Sequence, residues 1–305
     1  MRKASPETDQ VIRSFLQKTI RRGDYELTKK AIAYILKINE FQWMRKRLAV
    51  MTFEECWPYG LKVAFDNDEG VIIKHYLELA KTVKNKNAAG LGSLAYALSQ
   101  GDESVYQKDS GDKDIKIILE AIKRSKEFWI WAHKQNLSSK QRTLVENADR
   151  GFRKSGWPWD RAFAQAAAYL AITDNIPEIS YLNTTPGPTF PLWVGIDKHT
   201  KEGKIAIRGA AKQNGFNANK ALWLAFYFES AKCNKIENSP WWTREIKWRM
   251  AKMELDFEQG KEIWEKLRPK VKELLHEEVN KLEDKLYSAK PIKISMPKPS
   301  QISMF

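Results

Sequence analysis

The sequence predicts an all-α fold, with a multi-helix body in one or two lobes and a flexible C-terminal tail. Apolar residues recur at the three- and four-residue spacing of helices along most of the chain, and capping residues or glycines separate these stretches. No stretch alternates apolar and polar residues with the period of two that is typical of strands. With 305 residues, 43% of them hydrophobic, the chain can bury a core in one large domain or two modest ones.

The N-terminal helices carry clear start and stop signals. Residues 5–7 (Ser-Pro-Glu) combine a capping serine, a proline in the first turn and an acid near the positive end of a helix. Gly23 is expected to end this helix, and Asp24 to cap the next. Asn39 is expected to cap a third helix, which stops at residues 58–60 (Pro-Tyr-Gly).

The same pattern predicts helices along the rest of the chain. Their expected ranges are 68–84, 87–100, 112–133, 138–155, 159–172, 200–213, 217–233, 239–259 and about 261–288. Pro269 lies inside the last of these, and it is expected either to kink that helix or to split it.

A long irregular stretch at residues 174–200 contains four prolines. Loops without secondary structure rarely exceed roughly 12–15 residues, so this stretch suggests a functional or packing loop. It is expected to separate an N-terminal lobe, residues 1–173, from a C-terminal lobe, residues 201–288. Residues 289–305 are rich in proline and lysine at their start and read as a flexible tail.

The charge balance favours a polyanionic partner. The chain holds 52 Lys and Arg against 38 Asp and Glu, a formal net charge of +14, which makes nucleic acid the leading partner class. The alternative is a lysine-rich surface that only keeps a helical protein in solution. Two cysteines, no signal peptide and no apolar run of ~20 residues predict a cytoplasmic protein without a membrane partner. With DNA as the expected partner, the protein is expected to be nucleoid-associated.

The last five residues are Gln301, Ile302, Ser303, Met304 and Phe305. They resemble the peptide by which bacterial polymerases and repair factors bind the ring-shaped DNA sliding clamp. The resemblance implies that Met304 and Phe305 fill an apolar pocket on the clamp while the Gln301 amide bonds to a separate site. It also implies a bacterial or phage setting, with the host cytoplasm as the location if the protein is phage-encoded.

Two helical segments resemble the region that follows the ATPase core in the MgsA/RarA family of replication-recombination ATPases. One is residues 14–24 (SFLQKTIRRGD) together with 44–49 (MRKRLA), and the other is residues 161–171 (RAFAQAAAYLA). In that family the region assembles tetramers, so the resemblance implies a possible homo-oligomer. The phosphate-binding Gly-x-x-x-x-Gly-Lys loop of the ATPase is absent from the sequence, and the segments around residue 57 and after residue 174 depart from the family pattern.

No catalytic constellation can be recognised, and the sequence predicts no enzyme, no cofactor and no metal site. Asp197 and His199 are the one pair that suggests a metal, but the other histidines are scattered and a metal site needs further ligands. Asp197 and Thr200 are instead expected to cap the following helix.

The basic residues expected to meet nucleic acid form four groups along the chain. They are Arg21 and Arg22; Arg45, Lys46 and Arg47; Arg150, Arg153 and Lys154 with Trp157; and Arg244, Lys247 and Arg249. Cations beside aromatic rings suit phosphate neutralisation and stacking on unpaired bases. The alternatives are that the first group only balances a helix end, and that most tryptophans belong to the core.

Together these features predict a non-catalytic accessory of DNA replication or repair, bound to the clamp by its tail and to DNA or a replication partner by its basic body. One alternative is a DNA-processing nuclease with an unrecognised active site, tethered to the clamp by the same tail. Another discounts the tail and leaves an RNA-binding or structural helical protein.

Overall fold

A computed structural model describes residues 9–65, 67–183 and 190–292, and it confirms the all-α prediction for that part of the chain. Its α-helices are α1 Gln10–Arg21, α2 Tyr25–Lys37, α3 Phe41–Glu55, α4 Glu69–Lys81, α5 Asn87–Ser99, α6 Asp112–Lys123, α7 Ser125–Lys134, α8 Ser139–Lys154, α9 Pro158–Thr173, α10 Lys201–Gln213, α11 Ala218–Ala225, α12 Pro240–Lys252, α13 Phe257–Leu274 and α14 His276–Ser288. Short 3-10 helices occupy Trp57–Leu61, Glu103–Val105 and Leu192–Gly195, and a π-helix continues α11 over Phe226–Ser230. None of the described helices is both long and apolar enough to cross a bilayer.

The turn between α1 and α2 follows its sequence signals, and the next turn does not. Gly23 has a φ of +73°, which glycine adopts without strain, and the Asp24 carboxylate accepts the Leu27 N–H at 2.9 Å. The predicted cap at Asn39 was wrong. Asn39 adopts a left-handed φ of +59° and ends α2, since asparagine tolerates that conformation, and Glu40 precedes α3. The start signal at residues 5–7 lies outside the described residues.

The single helix predicted over residues 112–133 is two helices, α6 and α7. Arg124, with φ −126° and ψ 58°, breaks the helical path between them. The Ser125 hydroxyl donates to the Ala121 and Ile122 carbonyls, so a side chain competes there for backbone acceptors. The break turns Phe128 and Trp129 into the core.

The C-terminal helices also begin and end away from the predicted positions. The helix predicted over 239–259 stops at Lys252, and Asp256 starts α13 with a reciprocal capping box to Gln259. Pro269 does not split the last helix, because α13 continues through it and ends at Leu274. The break lies at Leu275, where α14 begins.

Two apolar cores hold the helices of the described residues. The first joins α1, α2 and α4 with residues 190–196 and helices α10–α14, and the second joins α5–α9 with Trp248. Helix α3 contributes to both, through Met44, Leu48 and Met51 to the first and through Val50 and Phe53 to the second. The two cores are connected where α5 crosses α12. There a Cβ on Gly90 would lie 2.3 Å from backbone atoms of Trp241 and Trp242, so only glycine permits this approach.

Residues 82–85 form an extended segment, although the sequence predicted that α4 would continue to Lys84. Isolated bridges connect Asn85 to Cys56, Thr82 to Tyr181 and Lys84 to Ile236. Part of the predicted 174–200 loop is therefore tied to the body by backbone hydrogen bonds. The tail beyond Ile292, including Gln301–Phe305, lies outside the described residues.

Candidate nucleic-acid interface

The predicted cation Arg21 lies in the protein interior. Its side chain is 1% exposed, and its Nε donates to the Glu55 carboxylate at 2.8 and 3.0 Å. A terminal nitrogen of the same guanidinium contacts Glu54 at 2.7 Å. The remaining terminal nitrogen bonds to the Ser230 carbonyl. Arg21 therefore has no free donor face to offer a ligand.

Glu55 is the centre of a buried charge network. Its carboxylate is fully buried and also receives Lys86 Nζ at 3.2 Å. Burial alone would raise the pKa of Glu55, but the Arg21 and Lys86 cations outweigh it and bring the pKa to about 2. Lys84 lies nearby with its ammonium bonded to the carbonyls of Leu79 and Thr82 at 2.7 Å, and burial lowers its pKa to about 8.

The neighbouring predicted cations are also held by partners. Arg22 is 15% exposed and pairs with Glu229 at 3.1 Å. On α3, Arg45 donates to Asn67 at 2.6 Å and Arg47 pairs with Asp160 at 2.7 Å. Lys46, between them, is exposed to solvent.

The α12 cations have separate surroundings. Arg244 is 10% exposed and pairs with Asp109 and Asp112, whereas Lys247 is exposed. Arg249 lies over two indoles, 4.0 Å from the centroid of Trp223 and 4.2 Å from that of Trp248. Stacking of this kind is a favourable structural contact in itself.

Lys198 was not among the cations predicted from the sequence, and it contacts Trp223, one of the two indoles that Arg249 also contacts. Its Nζ is 3.2 Å from the Trp223 centroid and 4.3 Å from that of Phe226. Burial lowers the pKa of Lys198 to about 7. Nearby, the Tyr227 hydroxyl donates to the Glu245 carboxylate, and burial raises the pKa of Glu245. Lys198, Arg249, Trp223, Tyr227 and Glu245 therefore mainly contact one another and neighbouring aromatic rings.

The α8 group has the most exposed side chains of the four. Arg150 is exposed and forms no ion pair with any described residue, and Trp157 is 74% exposed. Arg153 is 71% exposed, with its guanidinium held by Asp149 at 2.9 Å, and His133 reaches the same carboxylate at 3.1 Å. Lys154 is half-buried. These residues end α8 and lead into α9.

Helix α7 adds exposed cations and apolar side chains beside the α8 group. Lys126 and Lys134 are exposed and unpaired within the described chain, and Ile130 and Trp131 are 47% and 39% exposed. Residues 125–157 hold seven Lys or Arg against three Asp or Glu, an excess of four positive charges. We call this surface, formed by α7, α8 and Trp157, the α7–α8 face.

The Asp197–His199 pair has a structural partner. Asp197 is 4% exposed and pairs with Lys18 at 2.7 Å, and His199 Nδ1 lies 3.0 Å from it. The predicted cap at Thr200 is confirmed, since its hydroxyl accepts the Gly203 N–H at 3.0 Å. The predicted cap at Asp197 was wrong, because Asp197 lies three residues before the cap and its carboxylate accepts the His199 N–H at 2.9 Å and pairs with Lys18. Within the ranges that the structure describes, no three His, Cys, Asp or Glu side chains could hold a metal ion.

Comparison of the chain with protein-family models, with curated proteins and with solved structures finds no match. The resemblance to the MgsA/RarA family and that of Gln301–Phe305 to a clamp-binding peptide therefore stay predictions.

Proposed function

We propose that this protein is a non-catalytic accessory of DNA replication or repair that binds DNA on its α7–α8 face and a bacterial sliding clamp through Gln301–Phe305. The observation that carries the DNA part is the α7–α8 face, where unpaired Lys126, Lys134 and Arg150 lie beside exposed Ile130 and Trp157. Cations without carboxylate partners can release the counterions of a phosphate backbone, which is the main source of nucleic-acid affinity.

The aromatic content of this face favours unpaired over double-stranded DNA. A tryptophan such as Trp157, with 74% of its surface exposed, offers a ring on which a base can stack. Stacking contributes about 1–3 kcal/mol per base in single-strand binding proteins and requires an unpaired base. The face is therefore better suited to single strands or to the unpaired part of a fork than to a closed duplex.

The tail contributes through effective concentration. A clamp peptide joined to a DNA-binding body by a short tether turns the second binding event into an intramolecular one, which can strengthen overall binding by about 10²–10⁴ without new contacts. Residues 289–300 have the length and composition of such a tether, reaching at most ~40 Å when extended. Each contact can then be weak by itself.

DNA binding is tested with the full chain and two fluorescent probes, an oligothymidine and a duplex of equal length, by anisotropy at several salt concentrations. We expect tighter binding to the single strand, with a salt slope of about 0.7 per phosphate contacted. Failure to bind either probe at low salt would exclude the DNA part of the proposal.

Clamp binding is tested by capture on an immobilised bacterial clamp. Deleting residues 301–305 should abolish capture while helicity and the unfolding midpoint stay unchanged. The matched control alters Ile294-Ser295-Met296, which repeats the middle of the motif between Lys293 and Pro297, and it should leave capture intact. Equal capture of the full and truncated chains would refute the clamp part.

A further inference from the structure

A hollow of about 750 Å³ opens between α7 and α8 on the α7–α8 face. Its apolar surface comes from Trp129, Ile130 and Phe152, and its rim carries Lys126, Lys134 and Arg153. The Trp129 and Phe152 ring centroids are 5.4 Å apart with the ring planes inclined by 62°. The volume is within the range of small-molecule sites, roughly 300–1,000 Å³.

The walls of this hollow are fixed by the second core. Phe128 and Trp129 are 7% and 5% exposed and anchor α7, while Leu144 and Val145 anchor α8. Ile130 is 47% exposed and lies on the solvent-facing side of α7, away from the side that buries Phe128. It borders the hollow but does not belong to the second core. The hollow is thus preformed, and a change at Ile130 can alter it without removing buried packing.

The charges on the rim are arranged along one helix face. Lys126, Ile130 and Lys134 follow one another at intervals of four residues, so they lie in one row along α7, with about 12 Å between the first and last Cα atoms. The two lysines are unpaired within the described chain and flank the apolar centre on either side. On α8, Asp149 fixes the Arg153 guanidinium by two contacts, at 2.9 and 3.0 Å.

We propose that this hollow binds one unpaired nucleobase of a single strand, with the backbone on either side of that base passing Lys126 and Lys134. This rests on the proposed DNA binding and assigns it a site. A nucleotide strand combines a flat apolar ring with negative charge on both sides, which matches an aromatic hollow between two free cations. A peptide of Asp and Glu has negative charge but no aromatic ring to fill the hollow. Its backbone amides would also lose water without gaining hydrogen bonds from the apolar walls, which is unfavourable.

The first test compares Ile130→Asp with Ile205→Asp in the full chain. Ile205 is 63% exposed on α10 among other cations, so both changes add one carboxylate at an exposed isoleucine. Ile130→Asp should weaken oligothymidine binding at least tenfold, and Ile205→Asp should change it less than twofold. Equal effects of the two variants would overturn the site, and unfolding midpoints close to that of the native chain would confirm that both fold.

The second test locates the base directly. An oligothymidine carrying one 5-iodouracil is photo-crosslinked to the native chain, and the attached peptides are identified by mass spectrometry. Crosslinks to Trp129, His133 or Phe152 support the proposal. Crosslinks confined to other helices would overturn the site while leaving DNA binding by the body in place. Displacement of the oligonucleotide by polyglutamate at equal charge concentration would also overturn it, because charge alone would then explain the binding.

Discussion

The network around Glu55 and the α7–α8 face both contain arginine and lysine. In the network these cations are buried and paired, whereas on the α7–α8 face several are exposed and unpaired within the described chain. In the network, Arg21 and Lys86 are 1% exposed, and the Glu55 carboxylate joins them. On the α7–α8 face, Arg150 and Lys134 are exposed and have no carboxylate partner within the described chain. The difference lies in the partners, because a cation with its charge satisfied inside the fold has little left to offer a phosphate.

The net charge of +14 is therefore not all available to a partner. The buried cations are compensated by carboxylates or carbonyls inside the fold, so they contribute little to the field outside it. The exposed excess on α7 and α8 is the part that a polyanion meets. A total charge thus indicates a partner class, and the ion-pair partners decide which surface that partner can use.

The largest expected effect is on stability, from Glu55→Gln. Removing this charge leaves Arg21 with its ion pair to Glu54 and leaves Lys86 with no ion pair among the described residues, and breaking a buried pair costs about 3–5 kcal/mol. Urea unfolding at pH 7 should show a loss near the lower end of that range. The matched control, Glu127→Gln on exposed α7, should stay within about 0.5 kcal/mol of the native chain.

The same pair of variants gives a pH test. Because the pKa of Glu55 in the folded chain is about 2, below its ordinary value of 4.5, its contribution to stability is present above pH 4.5 and is lost as the pH falls through 2. The difference between the native chain and Glu55→Gln should shrink across that window. A difference that stays constant down to pH 2 would contradict the assigned role of the Glu55 charge.

The next effect is on nucleic-acid affinity, from the double change Arg150→Gln and Lys154→Gln. Losing two phosphate contacts should weaken oligothymidine binding roughly tenfold at moderate salt and lower the salt slope by about 1.4. The control removes two cations elsewhere, with Lys29→Gln on α2 and Lys261→Gln on α13, where each ammonium pairs with a glutamate of its own helix. If the control lowers affinity as much, binding depends on net charge and not on the α7–α8 face.

The helices were largely predictable from the sequence, but which cations are buried in ion pairs and which are exposed was not. The signals that define a helix are local, because apolar periodicity is in the helix itself and a cap such as Asp24 or Ser138 immediately precedes it. The partners of Arg21 are 33 and 34 residues away in Glu54 and Glu55, and 209 residues away in Ser230. Such contacts depend on tertiary packing, which local periodicity does not report.

The row of Lys126, Ile130 and Lys134 was missed for a related reason. Predicting one helix over residues 112–133 assigned α7 the same rotational phase as α6, whereas the break at Arg124 resets that phase. Residues four apart within α7 share a face in either case, but the assumed long helix would point that face in a different direction relative to the apolar face of α6. A single side chain, Ser125, with its hydroxyl bonded to the preceding turn, marks the break.

A further effect on stability is expected from Lys198→Met, and its size depends on pH. Burial lowers the folded pKa of Lys198 to about 7 from 10.5, so the unfolded chain binds more protons between these values and Lys198 makes stability rise with pH. Replacing it should stabilise the chain at pH 7 by at least about 1 kcal/mol and have little effect near pH 10.5. The control is Lys201→Met, at an exposed lysine about one turn away. Its free energy of unfolding should depend on pH in the same way as that of the native chain.

The smallest single effect is expected at the more exposed of two helix caps of the same kind in the two environments. The Ser138 hydroxyl accepts the Gln141 N–H at 3.3 Å on the exposed α7–α8 face, and the Thr200 hydroxyl accepts the Gly203 N–H at 3.0 Å where it is fully buried. Water can replace the lost acceptor at residue 138 but not at residue 200, so Ser138→Ala should cost about 0.5 kcal/mol and Thr200→Ala about 2 kcal/mol. Thr200→Ser, which keeps the hydroxyl, should recover most of the second loss. Equal costs at the two caps in urea unfolding would mean that solvent access does not set the difference between the interior and this face.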